Sequence, residues 1–319
     1  MELKPQEIRS QPSSIAMSLK GLGPLWNIST RFVTEKKLMK GTRKVIPQEQ
    51  YTTIMYPITD IQVILSVISG VMVGFSLGLI GGGGSILAIP LLIYFVGFDH
   101  PHIVIGTTAL AVGVNAYLNL IPHTLKKHVN YKAGIEFTLP GIAGVLAGSE
   151  LGLITPGNDL LFFFSFLMIG IAIYMLKRKC IDISEVERKV AKSSKSLSIL
   201  ILTGLIVGFA SGYFGIGGGF LIVPGLLFGG GLNIIQAVGT SLMAVGTFGV
   251  ITAARYALSG DLYIVISALF ILGGIFGGWF GARLAGKIPK RRLTQIFAII
   301  VIIVAFYILY QNYTVVLHI

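Results

Sequence analysis

Ten apolar blocks in a chain of 319 residues limit what this sequence can fold into more than any other feature. They fall near 61–80, 85–98, 103–121, 134–154 and 160–176, then near 197–215, 219–230, 234–257, 262–285 and 294–311. A helix needs about 20 mostly apolar residues to cross a bilayer. Eight blocks approach that length, and the second block of each series falls well short. In lipid only helices and closed barrels satisfy their own backbones, so the blocks predict an all-α, polytopic transmembrane bundle. Charged residues make up 12% of the chain, where a soluble domain carries about 25%, which excludes a soluble globule. The stretch 1–57 has Pro, Ser and nine cations and lacks the apolar core of a signal peptide. It reads as an extramembrane or surface-lying extension.

The two series look like copies. Gly74–Leu92 (GFSLGLIGGGGSILAIPLL) aligns without gaps on Gly208–Leu226 (GFASGYFGIGGGFLIVPGL), with 9 of 19 positions identical, including Gly83/Gly217, Gly84/Gly218 and Pro90/Pro224. After one deletion, Gly106–Gly113 (GTTALAVG) meets Gly239–Gly246 (GTSLMAVG), and Gly141, Gly144 and Gly148 meet Gly274, Gly277 and Gly281. Such duplication is a common ground plan of secondary transporters. The expected organisation is an extension at 1–57, a first five-segment repeat at 58–177, a basic linker at 178–196 and a second repeat at 197–319.

A net charge of +12 would suit a nucleic-acid partner, but its placement does not. Of 25 Lys and Arg, nine lie in 1–50, three in 122–132, seven in 177–196 and four in 286–292, leaving Arg255 and Arg283. Nucleic-acid binding calls for a basic stripe on a folded surface; clusters in loops between apolar blocks follow the positive-inside rule. The basic loops 123–132 and 287–292 and the linker are therefore expected in the cytoplasm, and the cation-free loop 155–159 outside. Loops 155–159 and 287–292 are counterparts, so each copy should cross an odd number of times. Five crossings each give about ten segments in inverted topology, with the basic N-terminus outside. Re-entrant short blocks would instead give four crossings per copy and put 287–292 outside.

Four consecutive glycines, Gly81 to Gly84, cost about 1 kcal/mol each inside a helix. Non-helical backbone at membrane depth persists only where protein buries it or a polar cavity borders it. A short helix is expected to start near Ser85 in one copy and Gly219 in the other, presenting free N–H groups suited to an anion. Gly83, Gly84, Ser85, Gly217, Gly218 and Gly219 are thus candidate substrate-binding residues. Helix packing is the competing reading, and it is preferred for Gly70/Gly74/Gly78, Gly144/Gly148/Gly152, Gly204/Gly208/Gly212 and Gly277/Gly281. Thr107, Thr108, Thr240 and Ser241, expected at the start of the third helix of each copy, either bond their own helix or donate to an oxyanion. No strand precedes the glycines and no Lys-Ser/Thr pair follows, which argues against a P-loop.

The twofold pairing of GxGGGxxxxxP with a GTS/GTT helix resembles the sulfite exporter TauE/SafE family, over about 60–319. That resemblance implies export of sulfite, sulfoacetate or another sulfur-containing organic anion across the cytoplasmic membrane. The copies differ where Ser85 faces Gly219 and Gly82 faces Ile216, so an asymmetric site is expected.

Glu136, Glu150 and Arg283 are candidates for ion coupling or charge balance, against the plainer reading of interfacial residues reaching water. Arg255 and Asp261 read as solvated. Asp99-His100-Pro101-His102 superficially resembles a metal site, but the second copy has no histidine there, and no metal or other cofactor is expected. Cys180 is alone. The expectation is a non-enzymatic, multi-pass secondary carrier for a small anion, using alternating access at the cytoplasmic membrane. Its partners would be that anion and the bilayer, with room for a homodimer and no nucleic acid. A channel, or a scaffold or intramembrane enzyme of sulfur metabolism, is the alternative.

Overall fold

The computed structural model describes residues 59–80, 82–177, 197–284 and 290–316; the N-terminal extension and the basic linker lie outside these. The first half comprises α1 (Asp60–Ile80), a composite short segment α2 (82–95), α3 (Pro101–Leu125), α4 (Tyr131–Ile154) and α5 (Gly157–Lys177). The second comprises α6 (Leu197–Phe214), the short α7 (Gly219–Phe228), α8 (Ile234–Leu258), α9 (Ile264–Leu284) and α10 (Lys290–Val316). Eight of these helices are long and apolar enough to cross a membrane. The many exposed apolar side chains, Ile61, Leu139, Phe276 and Ile303 among them, suit a lipid-facing perimeter.

Packing is reciprocal between the halves. The first helix of each half packs on the fourth of the other (α1 on α9, α6 on α4), third packs on third (α3 on α8) and fifth on fifth (α5 on α10). The α1–α9 seam closes at Gly70 and Gly74, opposed by Phe270 and Gly274; the α6–α4 seam closes at Gly204, Gly208 and Gly212, opposed by Phe137, Gly141 and Val145. A Cβ at these positions would enter the facing backbone. Such small-residue seams let membrane helices approach backbone to backbone.

The same contacts set the helix directions. Residue numbers rise together along α1–α9 and along α4–α6, so those pairs run parallel. Between α3 and α8 they run oppositely: Gly106 lies against Tyr256 and Asp261, Gly113 against Gly249 and Val250, and Gly239 against His123 and His128. One end of the bundle therefore gathers the α3–α4 turn with Lys126 and Lys127, the start of α6 and the end of α9. The other end gathers the starts of α1, α3 and α9, where the acids Asp60, Asp99 and Asp261 lie.

Candidate functional site

Each glycine-rich stretch ends a long helix and folds the chain back along it. In the second half, Gly217 and Gly218 have φ of 66° and 64°, a region costly for any residue with a Cβ, and Gly218 caps α7. A Cβ on Gly218 would meet Ser211 and Val207 of α6. In the first half, a Cβ on Gly84 would lie 2.5 Å from the Leu77 nitrogen and 2.8 Å from the Ser76 Cβ. Gly84 and Gly218 are aligned counterparts, so both returns use the same contact.

The expected short α-helix starts at Gly219 but not at Ser85. Gly82–Leu87, which contains Gly83, Gly84 and Ser85, is a 3₁₀ helix, followed by one α turn (Ala88–Pro90) and a π turn (Leu91–Phe95). Three successive glycines at Gly82–Gly84 favour no α-helix, and Pro90 has no N–H to give the ladder. The asymmetry anticipated from the Ser85/Gly219 mismatch thus extends to the whole short segment.

The two breaks meet. The 3₁₀ turn of α2 packs against α7 and α8, and a Cβ on Gly217 would lie 3.1 Å from Val245 Cγ1 and 3.4 Å from Val112 Cγ1. Val112 and Val245 are counterparts in the GTTALAVG and GTSLMAVG helices. Each is eleven residues from the first residue of its 25-residue helix, α3 or α8. Gly217 therefore sits where the halves exchange, near mid-depth of both helices. Three residues after Val112, Asn115 abuts Gly274, which in turn touches Gly74, two residues before Ser76.

The four hydroxyls of the second motif all have protein partners. Because α3 begins at Pro101 and α8 at Ile234, they stand about two turns inside their helices and not at the start. Thr107 Oγ1 accepts the Tyr263 N–H (3.0 Å) where α9 begins, and Thr240 Oγ1 accepts the Asn130 N–H (2.9 Å) where α4 begins. Thr108 Oγ1 donates to the Val104 carbonyl (2.8 Å) and Ser241 Oγ to the Val238 carbonyl (2.8 Å), both in their own helices. All four are buried.

The ionisable candidates stand apart from this centre. Glu150, more than half exposed, pairs with Arg255 across the halves, so Arg255 is ion-paired and not merely solvated. Arg283 is exposed and places its guanidinium 3.6 Å from the centroid of the Trp279 ring. Glu136 is half-buried in the second turn of α4. No cluster of metal-binding side chains occurs among the described residues. His102 instead places Nε2 3.0 Å from the Thr155 carbonyl and 3.2 Å from that of Gly152, so this nitrogen carries the proton and donates to the end of α4.

Sequence reasoning missed three buried polar side chains, two of them beside the breaks and one against Gly274. Ser76, Ser211 and Asn115 are 7%, 0% and 2% exposed, and Ser76 Oγ, Ser211 Oγ and Asn115 Oδ1 have no hydrogen-bond partner. The available signal was a small polar residue amid an apolar block beside a glycine break.

Comparison with known proteins agrees with this architecture. The chain is 46% identical over 254 residues to a probable membrane transporter protein of Xylella fastidiosa, covering 78% of this chain and 96% of that one. It is 25% identical over 267 residues to the probable membrane transporter protein YunE of Bacillus subtilis, covering 78% and 98%. A probable membrane transporter protein of Haemophilus influenzae is 26% identical over 273 residues, covering 76% and 96%. No solved structure matches the chain. The family model described as sulfite exporter TauE/SafE matches residues 66–308. With eight membrane-length helices and this match over most of its length, the chain is a multi-pass transport protein of the cell membrane and belongs to the sulfite exporter TauE/SafE family.

Proposed function

We propose that this protein is a secondary transporter that exports a small sulfur-containing anion, sulfite or an organosulfonate such as sulfoacetate, by alternating access. The observation that carries the reading is the position of Gly217 between Val112 and Val245, where the two glycine breaks meet inside the bundle. A broken helix at that depth supplies backbone N–H groups to a ligand, and α7 turns its N-terminal end toward the same place. Gly83, Gly84, Ser85, Gly217, Gly218 and Gly219 form the binding region; Thr107, Thr108, Thr240 and Ser241 flank it.

Motion between the halves accounts for access. The antiparallel run of α3 and α8 and the gathering of basic segments at one end support an inverted pair of repeats, with that end in the cytoplasm. Each half contacts the other through mirrored seams, so rocking one against the other opens either end in turn. Without an ATP-binding motif, the driving force is an ion gradient or the gradient of the substrate itself.

Proteoliposomes loaded with labelled sulfite test the proposal. The expected result is saturable, protein-dependent efflux, compared with and without a pH gradient. Absence of flux for sulfite and organosulfonates alike removes the substrate assignment, and rapid non-saturating flux identifies a channel.

A further inference from the structure

The polar side chains buried among the described residues are Ser, Thr and Asn, with no Lys, Arg, Asp or Glu among them. Six of these, Ser69, Ser76, Asn115, Thr138, Ser211 and Thr252, carry a polar atom without a partner, and two of the six, Ser76 and Ser211, stand at the glycine breaks. Ser76 lies against Gly84 and Ser211 against Gly218, the two counterpart returns, and Asn115 stands one turn beyond Val112 on α3. A buried hydroxyl or amide with no partner is costly. Two such hydroxyls, one at each of the two counterpart returns of a transport protein, point to a polar ligand.

Building on the proposed function and narrowing its substrates, we infer that this site takes a singly charged oxyanion, hydrogensulfite or a monosulfonate, and rejects dianions such as fully ionised sulfite and sulfate, so that among organosulfonates the doubly charged sulfoacetate is excluded. Ser76 and Ser211 are its side-chain donors, beside the N–H groups that open α7.

The sign of the selectivity follows from desolvation. The cost of removing an ion from water grows with the square of its charge, so a dianion costs about four times a monoanion of equal size. A buried cation can offset the second charge, as Arg does in many oxyanion sites. Neutral hydroxyls and a helix start carrying about half an elementary charge complement one negative charge at most.

The full chain in proteoliposomes is assayed with sulfite, methanesulfonate and sulfate across a pH series. Sulfite flux is expected to fall as pH rises through the ionisation of hydrogensulfite, methanesulfonate flux to stay level, and sulfate to be excluded. Methanesulfonate stays ionised throughout, so it reports any titration of His123, Glu136 or Glu150 in the protein itself. Ser76→Ala and Ser211→Ala should each raise the half-saturating concentration about 10- to 100-fold, the loss of one hydrogen bond to a charged group. Ser76→Thr, which keeps a hydroxyl, should recover most of that loss. Equal flux of sulfite at all pH values, transport of sulfate, or unchanged saturation in both alanine variants overturns the inference while leaving the transporter reading in place. Flux of none of these anions overturns both.

Discussion

Gly217, where the two glycine breaks meet, carries a left-handed backbone. At φ of 66° an added Cβ costs about 1–2 kcal/mol from the left-handed backbone alone, and it would press on Val245 at 3.1 Å. Gly217→Ala is therefore expected to lower stability by about that amount in a thermal melt of the detergent-solubilised protein. Gly217→Leu should abolish flux, because its side chain fills the space between Val112 and Val245; full flux with Leu would return this glycine to a packing role. The glycines were legible in the sequence because they recur in register. Ser76, Ser211 and Asn115 were not, since their aligned counterparts are Ala210, Leu77 and Phe248. Repetition picks out only residues the halves share, and these three are residues they do not share. The hydroxyls had the opposite difficulty. Thr107 and Thr240 recur, but a threonine two turns inside a helix can bond its own carbonyl or reach a neighbour, and only the packing of α9 and α4 decides between them.

At the level of elements, those two threonines form a pair of fastenings. Each belongs to the third helix of one half and holds the backbone N–H that opens the fourth helix of the other, at opposite ends of the bundle. Ser267 adds to one of them by donating to the Thr107 carbonyl at 3.1 Å. Both hydrogen bonds are formed in the same structure. Replacing Thr107 by Val leaves the Tyr263 N–H unsatisfied, at a cost of about 1–2 kcal/mol. Hydrogen exchange at the start of α9 should then quicken about 5- to 30-fold while the start of α4 is unaffected. Thr240→Val should give the reverse pattern at Asn130. Quickening of both ends by either variant would mean that the fastenings do not act separately. The block lengths gave fair helix limits, whereas the 3₁₀, α and π succession in 82–95 was hidden, because glycine and proline say where a helix fails without saying what replaces it.

Over the whole molecule, helix direction and loop charge make one demand. Parallel α1–α9 and α4–α6 with antiparallel α3–α8 put the α3–α4 turn and the end of α9 at one end of the bundle, and the α4–α5 turn at the other. In the proposed orientation the first end faces the cytoplasm, because Lys126 and Lys127 lie there and the run Lys287–Arg292 begins just beyond α9. The counterparts Glu150 and Arg283 then lie toward opposite faces. Glu150 is joined to Arg255 at the end of the bundle that holds the α4–α5 turn, and Arg283 lies over Trp279 toward the other end, an arrangement typical of an interfacial cation and aromatic. Single cysteines test this in a Cys180→Ser background, using a thiol reagent that does not cross membranes. Lys126→Cys and Lys287→Cys should be labelled only from the cytoplasmic side, and Asn158→Cys only from outside. Labelling of Lys287→Cys from the same side as Asn158→Cys would mean that the halves run in the same sense. Rocking about a central inverted site would then lose its geometric basis, even if the protein still moved its anion.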